Sequence, residues 1–113
     1  MSNNELLNSM RDLTIIGVTF IHDYVQIFFD NEGILSVFSP MSVLDSHYTE
    51  IGDLRYLVGR KIRRVNFKEA RLRLLLDDNG SITIQCNVES DNVPEALTYS
   101  HSRDAPLCII QKK

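Results

Sequence analysis

Much that would name a chemistry is missing from this chain. It has two cysteines, Cys86 and Cys108, with no CxxC spacing, which argues against a disulfide scaffold and against a thiolate metal knuckle. No apolar run approaches the ~20 residues a membrane-spanning helix needs. The opening MSNNELLNSMRD has neither the basic region nor the apolar stretch of a secretory signal. GxxxxGK[ST], GxGxxG and the nucleophile elbow are absent, and so is the twelve-residue oxygen-ligand pattern of a calcium loop. These absences point to a reduced, cytoplasmic protein with no membrane partner, no cofactor, no metal and no catalytic residue, hence not an enzyme. At 113 residues the chain has room for a single domain with one modest core.

What is present is a pattern written twice. Residues 25–39 read VQIFFDNEGILSVFS and residues 72–86 read LRLLLDDNGSITIQC, 47 positions later. Each alternates apolar and polar residues into an acidic, Asn-containing turn closed by Gly, then alternates out again, which is the signature of a β-hairpin. Val25, Ile27 and Phe29 form one buried stripe and Leu72, Leu74 and Leu76 the other, with Leu35 and Val37 matched by Ile82 and Ile84. Gly33 is expected at φ > 0. Phe28 and Leu75, on the second face of each strand, suggest that a helix covers part of that face. Gly17 and Gly59, each after an apolar pair, are read as the matched openings of the two units.

Flanking segments complete the expected order. Residues 2–11 suit a short helix capped by Ser2 or Asn3, with Leu6, Leu7 and Met10 on one face. Residues 13–22 read as a strand turning at His22-Asp23, and Pro40 ends pairing. Residues 41–51 read as a polar loop, the seam between copies. Thr49 would cap a second helix over residues 50–58, weakened by Gly52, with Gly59 just past its end. A last strand falls near residues 105–111. The expected fold is therefore α+β: a single, mainly antiparallel twisted sheet of about six to seven strands, built from two pseudo-repeats (about 1–40 and 52–90), with two short helices packed on it.

Charge is unevenly placed. Residues 1–54 hold eight acids and one base, residues 55–73 eight bases and one acid, and residues 74–113 six acids and three bases, closing at −3. Arg60, Lys61, Arg63, Arg64, Arg71 and Arg73 could form a basic patch for phosphates, a protein-partner surface, or a solvated and edge-protecting face. The segment lacks the interleaved aromatics of single-strand binders. The acids of the turns and seam (Asp30, Glu32, Asp45, Glu50, Asp53, Asp77 and Asp78), with Tyr24, Tyr48 and Tyr56, could dock a basic protein, because tyrosines supply contact area while charge steers encounter. Taken alone, plain solubility is the favoured explanation, and Asp45, Tyr48, Glu50, Asp53 and Tyr56 of the seam are the residues singled out. His22-Asp23 could be an acid/base pair, but adjacent residues in a tight turn normally point apart. His47 and His101 with either cysteine lack the short spacing of zinc ligands.

The order His22-Asp23-Tyr24-Val25-Gln26, Leu57-Val58-Gly59-Arg60-Lys61, Asp78-Asn79-Gly80-Ser81-Ile82 and Val93-Pro94-Glu95-Ala96 resembles a group of small bacterial immunity-type proteins, of the kind paired with contact-dependent growth inhibition or related toxins. The likeness runs over residues 13–96. It implies a rigid scaffold that neutralises a cognate toxin domain, a nuclease-type toxin above all, by protein–protein contact. A small nucleic-acid-binding module using the basic segment is the alternative, and an enzyme with scattered acid/base residues the second alternative. The resemblance assigns no inhibitory residue by position.

Overall fold

A computed structural model describes residues 2–89, 93–102 and 107–112. Among these residues the order is α1 (Asn3–Asn8), β1 (Ile15–Ile21), β2 (Tyr24–Phe29), β3 (Ile34–Val37), β4 (Met41–Leu44), a 3-10 turn (Leu54–Leu57), β5 (Ile62–Lys68), β6 (Arg71–Leu76), β7 (Ser81–Gln85), β8 (Glu95–Ser100) and β9 (Leu107–Gln111). All strand pairings are antiparallel.

The expected single sheet is instead two: a five-stranded sheet ordered β1-β2-β3-β8-β9 and a four-stranded sheet ordered β4-β7-β6-β5. The expected pair of helices reduces to α1 and the 3-10 turn. The buried stripes explain why two sheets form. Ile27, Phe29, Leu35, Val37, Leu97 and Tyr99 of the first sheet and Val43, Ile62, Leu72, Leu74, Leu76, Ile82 and Ile84 of the second all belong to one buried core. Each sheet has one apolar face, and each covers the other's.

The hairpin correspondence at 47 residues holds in the hydrogen-bonded register. Ile27 opposes Leu35 and Val18, and Leu74 opposes Ile82 and Val65. The bulge between Ile15 and Gly17 in β1 recurs between Ile62 and Arg64 in β5. Glu32 and Asn79 both take φ of 70°. Gly17 therefore corresponds to Arg64 rather than to Gly59. Gly59, at φ 90°, corresponds to Asp12, at φ 72°, each just past the helical segment. The shared "apolar pair then Gly" was coincidental.

Two features of the topology had no sequence signal. First, the fourth strands are exchanged: β4 follows the first meander but pairs with β7 of the second, while β8 follows the second and pairs with β3 of the first. Residues 41–44, expected in the seam loop, are thus a strand. Leu97 opposes Val37 as Met41 opposes Ile84; a 47-residue offset would put that place at position 88, so the second connection is longer. Second, the sheets are stitched at an isolated Thr14–Lys61 bridge. Ile15 N donates to Arg60 O at 2.9 Å and Ile62 N to Leu13 O at 2.9 Å. Thr14 and Lys61 are equivalents of one another, so a pseudo-two-fold axis passes through this bridge.

α1 begins with a capping box: Ser2 Oγ accepts from Glu5 N at 3.2 Å while Ser2 N donates to the Glu5 carboxylate. Its Leu6 and Leu7, with Met10 behind them, are buried in the common core, and it packs against β5, β8 and β9. It does not cover the outward face of Phe28 or Leu75, which are half-buried within their own sheets. Asp53, not Thr49, caps the second helical piece, by accepting from Arg55 N at 3.0 Å. Gly52 before that cap leaves a single turn where residues 50–58 were expected to be helical.

Both β-turns need glycine for space. Gly33 and Gly80 are not at positive φ; the left-handed residue is the one before each. A Cβ at Gly33 would stand 2.7 Å from Asn31 Oδ1 and 3.0 Å from Ser100 O, and one at Gly80 would stand 2.8 Å from Leu44 O and 2.9 Å from Asp78 Oδ1. The Tyr99 and Tyr56 hydroxyls close over these same two glycines.

Candidate functional site

The seam is ordered by one carboxylate. Asp45 accepts from His47 N at 2.8 Å and Thr49 N at 3.0 Å, while Asp45 N donates to Thr49 O at 2.9 Å. That closed loop holds Tyr48 at φ 62° with 78% of its surface exposed. Beyond it Glu50 bridges Leu44, and Ile51 N donates to Val43 O at 2.8 Å, laying the chain along the free edge of β4. Asp53 and Arg55 form a close exposed pair, Nη2 to Oδ2 2.6 Å. Arg55's hydrogen bonds hold the Asp53 carboxyl down at about 2.

Tyr56 points the other way. Its hydroxyl donates to the Asp78 carboxylate, and the Arg60 guanidinium lies 5.5 Å from its ring centre. Burial, then the bond to Asp78, push the Tyr56 phenol up to about 12. Burial alone would raise the Asp78 carboxyl, but the Tyr56 hydroxyl, the Gly80 amide and Arg60 outweigh it and hold it below its usual value. Of the five seam residues singled out, Tyr48, Glu50 and Asp53 face outward, Asp45 is half-buried with its carboxylate turned onto the loop's own amides, and Tyr56 fastens the seam to the β6–β7 turn. Asp78, which completes that fastening, reads from sequence only as an acidic turn residue on the surface, because nothing in a hairpin turn signals its distant partner Tyr56.

Beside the seam the two sheets part into an open groove of about 560 Å³. Phe20, Tyr24, Phe38, Met41 and Ile51 line it, with Asp23 and Glu50 among its polar residues. The Tyr24 and Phe38 ring centres are 4.7 Å apart, and Phe20 is 68% exposed. This groove was also missed, because Phe20 shares its strand face with core residues and only its place at the end of the layers leaves it open.

The six basic residues are divided by the fold. Arg60 is committed to Tyr56, Lys61 lies in the bridge to Thr14, and Arg63, in the β5 bulge, donates to Asn79 at 2.9 Å. Arg64, Arg71 and Arg73 do come together on the outer face of the second sheet. In β5 and β6, Arg64 opposes Leu75, Asn66 opposes Arg73 and Lys68 opposes Arg71. Arg64, Asn66, Arg73 and Leu75 line a shallow cleft of about 150 Å³ there. Lys68 belongs to this face and was overlooked, although counting alternate residues from Arg64 finds it.

The remaining candidates gather little around them. His22 Nε2 is 3.8 Å from Asp23 Oδ2, both side chains nearly fully exposed. The pair points together, contrary to expectation, but is not at hydrogen-bond distance. Cys86 and Cys108 are both buried, and burial pushes the Cys108 thiol up. Among the described residues no group of three His, Cys, Asp or Glu could hold a metal ion, and no helix is long and apolar enough to cross a membrane. No protein-family model, curated protein or solved structure matches the chain.

Proposed function

We propose that this protein is a toxin-neutralising, immunity-type binding protein that acts by occupying a partner protein's surface. The observation that carries this reading is the presentation of Tyr48: an exposed aromatic at positive φ, held by a loop whose backbone donors are already satisfied by Asp45. Ordering that loop before binding lowers the entropic cost of association, and a rigid tyrosine is a favoured interface anchor. Glu50, Asp45 and Asp53 surround the anchor with acidic groups, which suits a basic cleft such as that of a nuclease-type toxin. Arg55 partly cancels Asp53, so Asp45 and Glu50 are assigned most of the electrostatic contribution.

The test is a binding assay between this protein and the product of the adjacent open reading frame, or a toxin captured from the native host. Tyr48→Ala is expected to weaken that complex by at least tenfold, and Glu50→Lys to slow association with a loss that grows as salt is lowered. Unchanged affinity in both variants would remove the seam as the interface. Failure of the wild-type protein to protect cells expressing the adjacent product would remove the function itself.

A further inference from the structure

The outer face of the second sheet holds four cations, Arg64, Lys68, Arg71 and Arg73, and none of its strand positions carries an acid. Among the described residues none of the four is in an ion pair. The neutral hydrogen-bonding side chains Asn66 and Thr83 lie between them, Asn66 and Thr83 both directly opposite Arg73. The pseudo-equivalent positions on the first sheet are Gly17, Ile21, Tyr24 and Gln26, which carry no charge. The two frameworks match in register and differ in charge on this face.

Structural explanations cover only part of this. Charge placed to protect a sheet edge belongs on the edge strand, but Arg71 and Arg73 sit on β6, between β5 and β7. Lys68 and Arg71 are direct cross-strand partners, an arrangement of like charges that works against the sheet. That pair stands at the turn end of the β5–β6 hairpin, and with Arg73 further along the interior strand β6 it leaves a run of cations that edge protection does not account for, a face suited to an anion.

We propose that this face is a docking surface for the phosphate backbone of a duplex nucleic acid. Phosphate contacts need cations and small neutral donors, which the face supplies. Protein hot spots centre on aromatic or well-buried apolar anchors; among the described residues the only apolar group lining its cleft is the half-buried Leu75, so an acidic protein fits less well. The strand positions between and beside the cations are Asn66, Leu75, Ser81, Thr83 and Gln85, none aromatic, which argues against the base-stacking mode of single-strand binders. The surface lies apart from the Tyr48 seam and does not depend on the reading given for it.

Fluorescence anisotropy with a short labelled duplex DNA, and the same sequence as duplex RNA, tests this. Four phosphate contacts give a log–log salt slope of about −3.6, a loss of about 150-fold between about 50 and 200 mM salt. Arg71→Gln with Arg73→Gln is expected to halve that slope, whereas Arg55→Gln, off the face, and Tyr48→Ala, in the seam, leave it unchanged. Circular dichroism of the double variant confirms that it is folded. No binding at the lowest salt, or a slope indifferent to the double variant, overturns the proposal. Displacement of duplex by polyglutamate at equal charge concentration also overturns it, by assigning the face to acidic protein.

Discussion

The most demanding prediction concerns Gly80→Ala. The backbone there is not in the left-handed region, so the cost is purely steric. An added Cβ meets the Leu44 carbonyl at 2.8 Å, Asp78 Oδ1 at 2.9 Å and the Tyr56 hydroxyl. Leu44 is the β4 residue paired with Ser81, so relieving the first contact means shifting an exchanged strand. Overpacking of this kind costs about 2 kcal/mol. Relieving the other two loosens the Tyr56–Asp78 bond, a hydrogen bond to a charged group that is only part-buried, adding about 1 kcal/mol. The sum of about 3 kcal/mol is a large share of a small domain's stability and corresponds to a fall in Tm of about 12 °C. Urea unfolding of Gly80→Ala, alone and with Tyr56→Phe, measures both parts. In the Tyr56→Phe background the alanine should cost about 1 kcal/mol less, because the hydroxyl it displaces is already gone. A loss under about 0.5 kcal/mol in the wild-type background, or the same loss in both, would refute the reasoning.

Other expectations follow from the same structure. Ile27→Ala and Leu74→Ala, fully buried at equivalent register positions, should each cost about 3 kcal/mol in denaturant unfolding. Tyr56's phenol is raised by folding to about 12, so its contribution is complete below the ordinary tyrosine value and is lost as pH rises from there through about 12. Asp78's carboxyl is lowered by folding, so its contribution is present above the ordinary carboxylate value and is lost as pH falls through the folded one. Tyr56→Phe should flatten the alkaline limb of a Tm-against-pH profile and weaken the acid one. Lys68→Gln should stabilise by about 0.5 kcal/mol in low-salt urea melts by removing the like-charge pairing with Arg71. Both cysteines, buried, should react with Ellman's reagent only on unfolding; fast labelling of the native protein would show that one of them is accessible.

The parts legible in the sequence were those set by local periodicity. Alternation over residues 72–76 dictates which side chains face inward whatever they meet there, so both stripes and both hairpins were readable. The α1 cap and Gly59 were readable because a cap is chosen within a few residues of the element it ends. The seam's exposed acids were readable as polar residues in an aperiodic stretch. Met41–Leu44 was misassigned because four residues are too short for periodicity to speak, and what makes them a strand is β7, some forty residues away.

By itself, then, the sequence determined two similar hairpins, their inward faces, a cationic segment and an acidic one. Only the tertiary structure decided that the hairpins belong to different sheets and that the meanders exchange their fourth strands across the Thr14–Lys61 bridge. It also sorted the cations, turning Arg60 onto Tyr56 and gathering Arg64, Lys68, Arg71 and Arg73 on one face. Alternation is a property of one strand and is written in it. Which strand lies alongside depends on covering two apolar faces with one another, and that free energy belongs to the pair of sheets and to no segment of the chain.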